Sequence, residues 1–173
     1  QGLSLHARGS GTGLAGGALG RGLVIDFSKY MRHIVETGDD YVRVQSGVIL
    51  DDLNRELAPQ GRYIGPDPAT NQVTTIGGMV AVNASGSHFP AVGDTRRHVK
   101  SLEVVLASGE VLEVGTHELL NTTGEIGVDR FVLGMDEICQ RHAETIAQGY
   151  PKSLVNSSGY RLQDLRDPDA FGK

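Results

Sequence analysis

The sequence predicts an α+β fold, and three observations carry that prediction. Alternating segments at residues 3–7 and 23–27 read as short strands on either side of a glycine-rich loop, and Tyr41-Val42-Arg43-Val44-Gln45 reads as a further strand. Ile49, Leu53 and Leu57 recur every four residues, which predicts an amphipathic helix over 49–59. Residues 100–106 and 111–114 flank the turn Ala107-Ser108-Gly109-Glu110 and predict a β-hairpin.

The loop comes first in the chain and says most. Arg8-Gly9-Ser10-Gly11-Thr12-Gly13-Leu14-Ala15-Gly16-Gly17 holds five glycines in ten residues. Glycine accepts positive φ and lets another group come close to the main chain. A run of such residues can aim several N–H groups at one point, making a nest for an anion such as a phosphate. Arg8 adds positive charge at its mouth. The plainer alternative is a flexible surface loop. Gly11-x-Gly13-x-x-Gly16 also fits the dinucleotide fingerprint, but that fingerprint requires a helix directly behind it. Here more glycine follows, then the strand Leu23-Val24-Ile25-Asp26-Phe27, with no room for a helix. The phosphate-loop NTPase pattern fails as well, since no Gly-Lys-Ser/Thr follows. A nest of backbone amides between two strands remains.

Farther along, Asp51 and Asp52 suit the first turn of the 49–59 helix, and Ala58-Pro59-Gln60-Gly61 stops it. Gly65-Pro66-Asp67-Pro68 is an extended turn. Thr75 is the expected N-cap of a small-residue helix that Gly86 would end, and the paired Gly77 and Gly78 would let a ligand touch the backbone at its start. Residues 134–149 predict one helix with Met135, Ile138, His142 and Ile146 on a shared face. Cys139 within it reads as a buried small hydrophobe.

Composition sets the bounds. The chain has 173 residues, 39% hydrophobic and 21% charged, as in an ordinary globular protein. A net charge of −5 argues against a nucleic-acid partner. No apolar run is long enough to predict a transmembrane helix. One cysteine excludes an intrachain disulfide framework and fits a reducing compartment, so a cytoplasmic place is expected, with peripheral attachment to the inner membrane as the variant. The six histidines share no metal-ligand spacing, and no metal is expected. Both ends read as cuts within a longer polypeptide, and residues 167–173 read as the beginning of a helix more than the finish of a domain.

Three motifs together resemble the FAD-binding domain of FAD-linked oxidases, the PCMH-type domain of the vanillyl-alcohol oxidase superfamily, in the branch of D-lactate dehydrogenase and the glycolate oxidase D-subunit. They are Arg8 through Ala18, Pro66-Asp67-Pro68 with Thr75 through Gly86, and Gly93 through Val99 followed by Leu102 through Val111. The resemblance implies two small α/β lobes with a flavin cleft between them. Residues 1–35 would be the remnant of an incomplete first subdomain with the pyrophosphate loop, and residues 36–173 a truncated second subdomain. It implies non-covalent FAD, because Thr12 stands where covalent members carry a histidine.

Under this resemblance the cofactor contacts are Arg8, Gly9, Ser10, Gly11, Thr12, Gly13 and Leu14 at the pyrophosphate. Thr75, Gly77 and Gly78 provide a second donor set, and Pro66, Asp67, Asn83, Ser85, Gly86 and Gly93 help enclose the flavin. Asn83 has a structural alternative as a helix cap, Asp67 as the organiser of its own turn, and His98 as a surface or packing residue. The implied activity is oxidation of a D-2-hydroxy acid (D-lactate, glycolate or a relative) by hydride transfer to FAD, with catalytic groups in a substrate domain outside this chain. Val155 through Leu162 resembles long members that carry an iron–sulfur region downstream. Two other functions compete: a flavin reductase of the UDP-N-acetylmuramate reductase kind, and a non-catalytic flavin-holding module of a larger complex.

Overall fold

The computed structural model describes residues 2–115, 126–153, 155–157 and 159–162. It falls into two compact units, residues 1–98 and 99–173.

In the first unit, β1 (Leu5–Arg8) and β2 (Leu23–Asp26) pair in parallel, with Leu5 opposite Leu23 and Arg8 opposite Asp26. Parallel neighbours are ordinarily joined by a helical crossover. Here the glycine-rich segment makes the connection through turns alone, as the run of glycines predicted. β3 (Ile34–Thr37) and β4 (Val42–Val44) form an antiparallel hairpin with a bulge. The Gly38 N–H donates to the Tyr41 carbonyl at 3.0 Å and closes its turn.

The core of this unit lies under α1 (Leu50–Leu57). Val48, Leu53 and Leu57 are buried together, with Val42, Val44, Ile64 and Ile76 packed against them. Leu53 and Leu57 are thus buried as the four-residue spacing predicted, but Leu50 completes the stripe, and Ile49 is the half-buried residue that precedes the helix. Asp51 and Asp52 in its first turn pair with Arg55 at 2.8 and 3.1 Å, and Arg32 joins Asp52 at 2.8 Å. A short 3₁₀ turn, Ala58–Gln60, ends at Gly61 with φ 69°.

α2 (Ile76–Val82) starts at Thr75 as expected but ends four residues before the predicted stop. Asn83, not Gly86, terminates it, with φ 48° in the left-handed region. Asparagine tolerates that conformation better than other side chains. α3 (Phe89–Val92) follows, and a 3₁₀ turn over Thr95–His98 completes the unit.

In the second unit, β5 (Ser101–Val105) and β6 (Val111–Gly115) form the predicted hairpin, with Gly109 at φ 87° in its turn. α4 (Ile126–Arg141) packs against β6, and α5 (Ala143–Gly149) follows. The single helix predicted over 134–149 is therefore two, parted at His142. The break is shallow: the His142 N–H still donates to Ile138 and its carbonyl accepts from Ile146. Cys139 is buried at 2% exposure, as a small hydrophobe should be. The helix start read in residues 167–173 lies outside the described residues. No helix among the described residues is long and apolar enough to cross a membrane.

Candidate functional site

The predicted site residues all fall in the first unit, where they form three linked groups. The first is the glycine loop against the start of α2. Arg8 closes β1, and its carbonyl accepts the Phe27 N–H at 2.9 Å, so the loop leaves a fixed strand end. The Arg8 guanidinium folds back over Gly11, which sits at φ 71°. A methyl on Gly11 would come 3.1 Å from that guanidinium. Gly9 backs onto Thr75, and a side chain there would run into the Thr75 hydroxyl. The Ser10 hydroxyl donates to the Val73 carbonyl. These contacts seat the loop on the 73–75 segment.

Beyond Ser10 the loop is exposed through Thr12, Gly13 and Leu14. It turns twice, with Gly16 N–H donating to Gly13 at 3.3 Å and Leu19 N–H to Gly16 at 2.9 Å. Among the described residues, none of the N–H groups from Ser10 to Ala15 donates to a protein acceptor. Gly13 and Gly17 meet no atom where a side chain would project.

The start of α2 differs. Ile76 N–H donates to Val48 and Gly77 N–H to Ser46, each at 2.8 Å. Gly78 N–H donates to the Thr75 hydroxyl at 3.2 Å, which is the predicted cap. The second donor set expected at residues 75–78 is therefore mostly spent inside the protein. Gly77 is there because Ser46 is pressed against it: a methyl would sit 2.6 Å from Ser46 Cβ. Ser10 needs the same correction, because its hydroxyl proton goes to Val73 and only its oxygen lone pairs remain. One donor survives. Thr75 is 2% exposed and bridges Ile49, yet its own N–H meets no acceptor among the described residues. A buried N–H without an acceptor is unusual and fits a missing oxygen partner.

The second group is built on Asp67, next to the buried Pro66. Asp67 organises a distant turn and not its own. Its carboxylate accepts from the Ser87 hydroxyl at 3.1 Å, the His88 N–H at 3.2 Å and the His88 ring Nδ1 at 2.6 Å. Burial pushes the Asp67 pKa up, but the hydrogen bonds from His88 and Ser87 outweigh it and hold the carboxyl below its usual range. Gly86 faces the Asp67 carbonyl so closely that a side chain has no room.

The third group joins Asn83 to Asp94 and Arg96, and Ala84 to Thr95, with Gly93 at φ 76° beside them. Ser85 lies half-buried between the second and third groups. His98 is exposed and shares a hydrogen bond with the Val92 carbonyl at 2.8 Å, as a surface histidine would. No three His, Cys, Asp or Glu side chains among the described residues converge as metal ligands.

The sequence reading missed β3, Val73, Ser46 and Asp94. Ile34-Val35-Glu36-Thr37 followed by Gly38-Asp39-Asp40 is a β-branched run before a turn, and it could have revealed the hairpin. Nothing local marks Val73 or Ser46, whose roles arise from contacts made across the chain.

Taken together, the loop offers successive bare amides, a guanidinium and glycines that keep side chains away, beside one buried unpaired donor. That donor set fits a diphosphate. Residues 1–115 match the family described as FAD binding domain. The chain belongs to this family, and its cofactor is FAD. Its fold is the PCMH-type FAD-binding fold. It is 36% identical over 176 residues to a D-2-hydroxyglutarate dehydrogenase of Pseudomonas putida, covering 96% of this chain and 17% of that protein. It is 35% identical over 167 residues to glycolate oxidase subunit GlcD of Bacillus subtilis, covering 94% of this chain and 35% of that subunit. Among solved structures it resembles 6-hydroxy-D-nicotine oxidase of Arthrobacter nicotinovorans, with TM-score 0.59 and 25% identity, over 68% of this chain and 26% of that one. The chain thus spans about a sixth of the D-2-hydroxyglutarate dehydrogenase it matches.

Proposed function

We propose that this chain is the FAD-holding part of a flavin-dependent dehydrogenase that oxidises a D-2-hydroxy acid. The observation that carries the reading is the run of unengaged amides from Ser10 to Ala15 beside the buried Thr75 N–H. Those amides and Arg8 would hold the diphosphate. Desolvating two phosphates without such donors would cost several kcal/mol, and the loop is already bent to supply them. Gly11 at φ 71° supplies part of that bend at no steric cost. Gly9 keeps the loop flush with Thr75, and Gly77 lets α2 begin directly against Ser46. Pro66, Asp67, Ser85, Gly86 and Gly93 would complete the surroundings of the flavin.

Bound FAD supplies the two-electron acceptor that removes hydride from a carbon bearing a hydroxyl. The protein's part is to bind, orient and seclude it. We read the attachment as non-covalent, with Thr12 in the loop where a covalent histidine would stand. Residues 1–35, carrying the loop, and residues 36–173 are read as the two subdomains that share the cofactor. The substrate class is supported by those relatives named for a 2-hydroxy acid: D-2-hydroxyglutarate dehydrogenase, glycolate oxidase subunit GlcD and D-lactate dehydrogenase. The groups acting on that acid are assigned to polypeptide outside this chain. The resemblance of Val155 through Leu162 to long members supports an iron–sulfur region or subunit as partner, and the place read for the protein is cytoplasmic, with peripheral attachment to the inner membrane as the variant.

The test uses the full-length protein. It should purify with a flavin absorption spectrum, release FAD on acid precipitation, and bleach when D-2-hydroxyglutarate, D-lactate or glycolate is added without oxygen. A protein that takes up no FAD would defeat the reading. One that holds FAD but is reduced by none of these acids would defeat the substrate assignment alone.

A further inference from the structure

Asn83 is the one residue other than glycine with positive φ among the described residues. Its N–H donates to the Met79 and Val80 carbonyls and closes α2. Both ends of its side chain turn into the protein. Nδ2 donates to Asp94 Oδ2 at 2.9 Å, and Oδ1 accepts the Arg96 N–H at 2.9 Å. One residue on, the Ala84 carbonyl accepts both the N–H and the hydroxyl of Thr95, at 2.9 and 2.6 Å. Asp94 and Thr95 are 5% and 6% exposed. Four hydrogen bonds therefore stitch residues 83–84 to 94–96, and the segment from Ser85 to Gly93 is looped out between them. The opposite end of the same short helix is Thr75, on which the glycine loop rests. α2 is thus held at one end by the loop and at the other by this seam.

We propose that Asn83 is a positioning residue for the cofactor. It fixes the 93–96 turn against the end of α2, and so sets the wall that Ser85, Gly86 and Gly93 present, without itself touching FAD. The inference rests on the reading that this unit holds FAD. Leaving a strained αL asparagine in place of glycine is understandable if its amide is needed: glycine would end the helix at less steric cost, but it could not bond Asp94 and Arg96.

The experiment is a polarity swap in the full-length protein, read by FAD affinity (flavin fluorescence titration), by the bound flavin's absorption bands, and by thermal midpoint of the FAD-free form. N83D faces one carboxylate with another and should weaken FAD binding by about 30-fold or more. In N83D/D94N the introduced amide at position 94 can donate to the introduced carboxylate at position 83, which can still accept from Arg96. The double variant should return FAD affinity to within about threefold of the parent, with unshifted absorption bands. Asn83→Gly guards against a misfolded single variant: it keeps the backbone turn and the two bonds from Thr95 to Ala84 but drops the two Asn83 side-chain bonds, so it should still melt cooperatively, at a lower midpoint, while FAD binding weakens about 10-fold. Restored melting without restored FAD affinity in the double variant would overturn the proposal, because it would mean that the amide itself contacts the cofactor. N83D or Asn83→Gly binding FAD as tightly as the parent would overturn it in the other direction. A parent protein that binds no FAD removes the functional reading and this inference with it. Even then the melting cycle reports independently whether the Asn83–Asp94 bond exists.

Discussion

Two glycine-rich segments meet in this unit, and they use glycine in opposite ways. From Gly9 to Gly17 the residue keeps the main chain bare. The amides from Ser10 to Ala15 stay unengaged, and Gly11 and Gly16 take positive φ. From Thr75 to Gly78 it lets the main chain be crowded. Amides are spent on Ser46, Val48 and the Thr75 hydroxyl, and Gly77 is pressed on Ser46. We read the first segment as the binding surface and the second as the anvil it rests on. Glycine content alone cannot distinguish them. The deciding question is where each N–H goes.

Substitutions that separate the two uses test the contrast. Gly9→Val is expected to do the most damage, since it drives a branched side chain into Thr75 at the one place where the segments touch. FAD affinity should fall by about 100-fold, corresponding to nearly 3 kcal/mol, in a fluorescence titration. Gly77→Ala should act on folding first. Its methyl would lie 2.6 Å from Ser46 Cβ, and overpacking of that kind costs about 1–3 kcal/mol. Urea unfolding of the FAD-free protein should show it as a lower midpoint with an unchanged slope. Gly11→Ala should cost about 1–2 kcal/mol through its left-handed φ, and the loss should be larger in FAD binding than in urea unfolding. Equal losses in the two measurements would erase the distinction between the segments.

The smallest effect expected is pH-dependent. Asp67 has a folded pKa below its unfolded value, so its stabilisation is complete above the unfolded pKa and is lost as pH falls through the folded one. The melting midpoints of the parent and of Asp67→Asn should therefore converge as the pH drops from about 5 to about 3. A gap that stays constant over that range would mean that the Asp67 carboxylate charge contributes nothing.

Much of the architecture was legible because it depends on local pattern. The α1 stripe, the Thr75 cap and the β5–β6 hairpin each follow from spacing within a few residues. The loop was legible too, down to the absence of a helix behind it. What escaped depends on partners far away in sequence. Gly86 looked like a helix stop, yet it is glycine because Asp67 lies against it, and Asn83 stops the helix instead. Ser10 looked like a phosphate ligand until Val73 claimed its proton. The amides of Gly77 and Gly78 looked available because a helix start exposes its first N–H groups, but Ser46, brought in from far along the chain, takes the first and the Thr75 cap takes the second. For the candidate site, then, the residue types could be read from the sequence, but the assignment of donors could not.

The parallel pairing of β1 and β2 has a kinetic consequence. In the 173-residue chain taken by itself, Leu5, Leu23, Val24 and Ile25 are exposed, so its β1–β2 ribbon has little buried apolar surface to hold it closed. Its amides should exchange with deuterium almost as fast as those of a frayed terminus while the nest is empty. Saturation with FAD at a hundred times its dissociation constant would add about 2.7 kcal/mol to every opening that releases the ligand. The ribbon would then become a slow-exchanging clasp, and isotope uptake at residues 5–8 and 23–26 would track occupancy of a site several residues away.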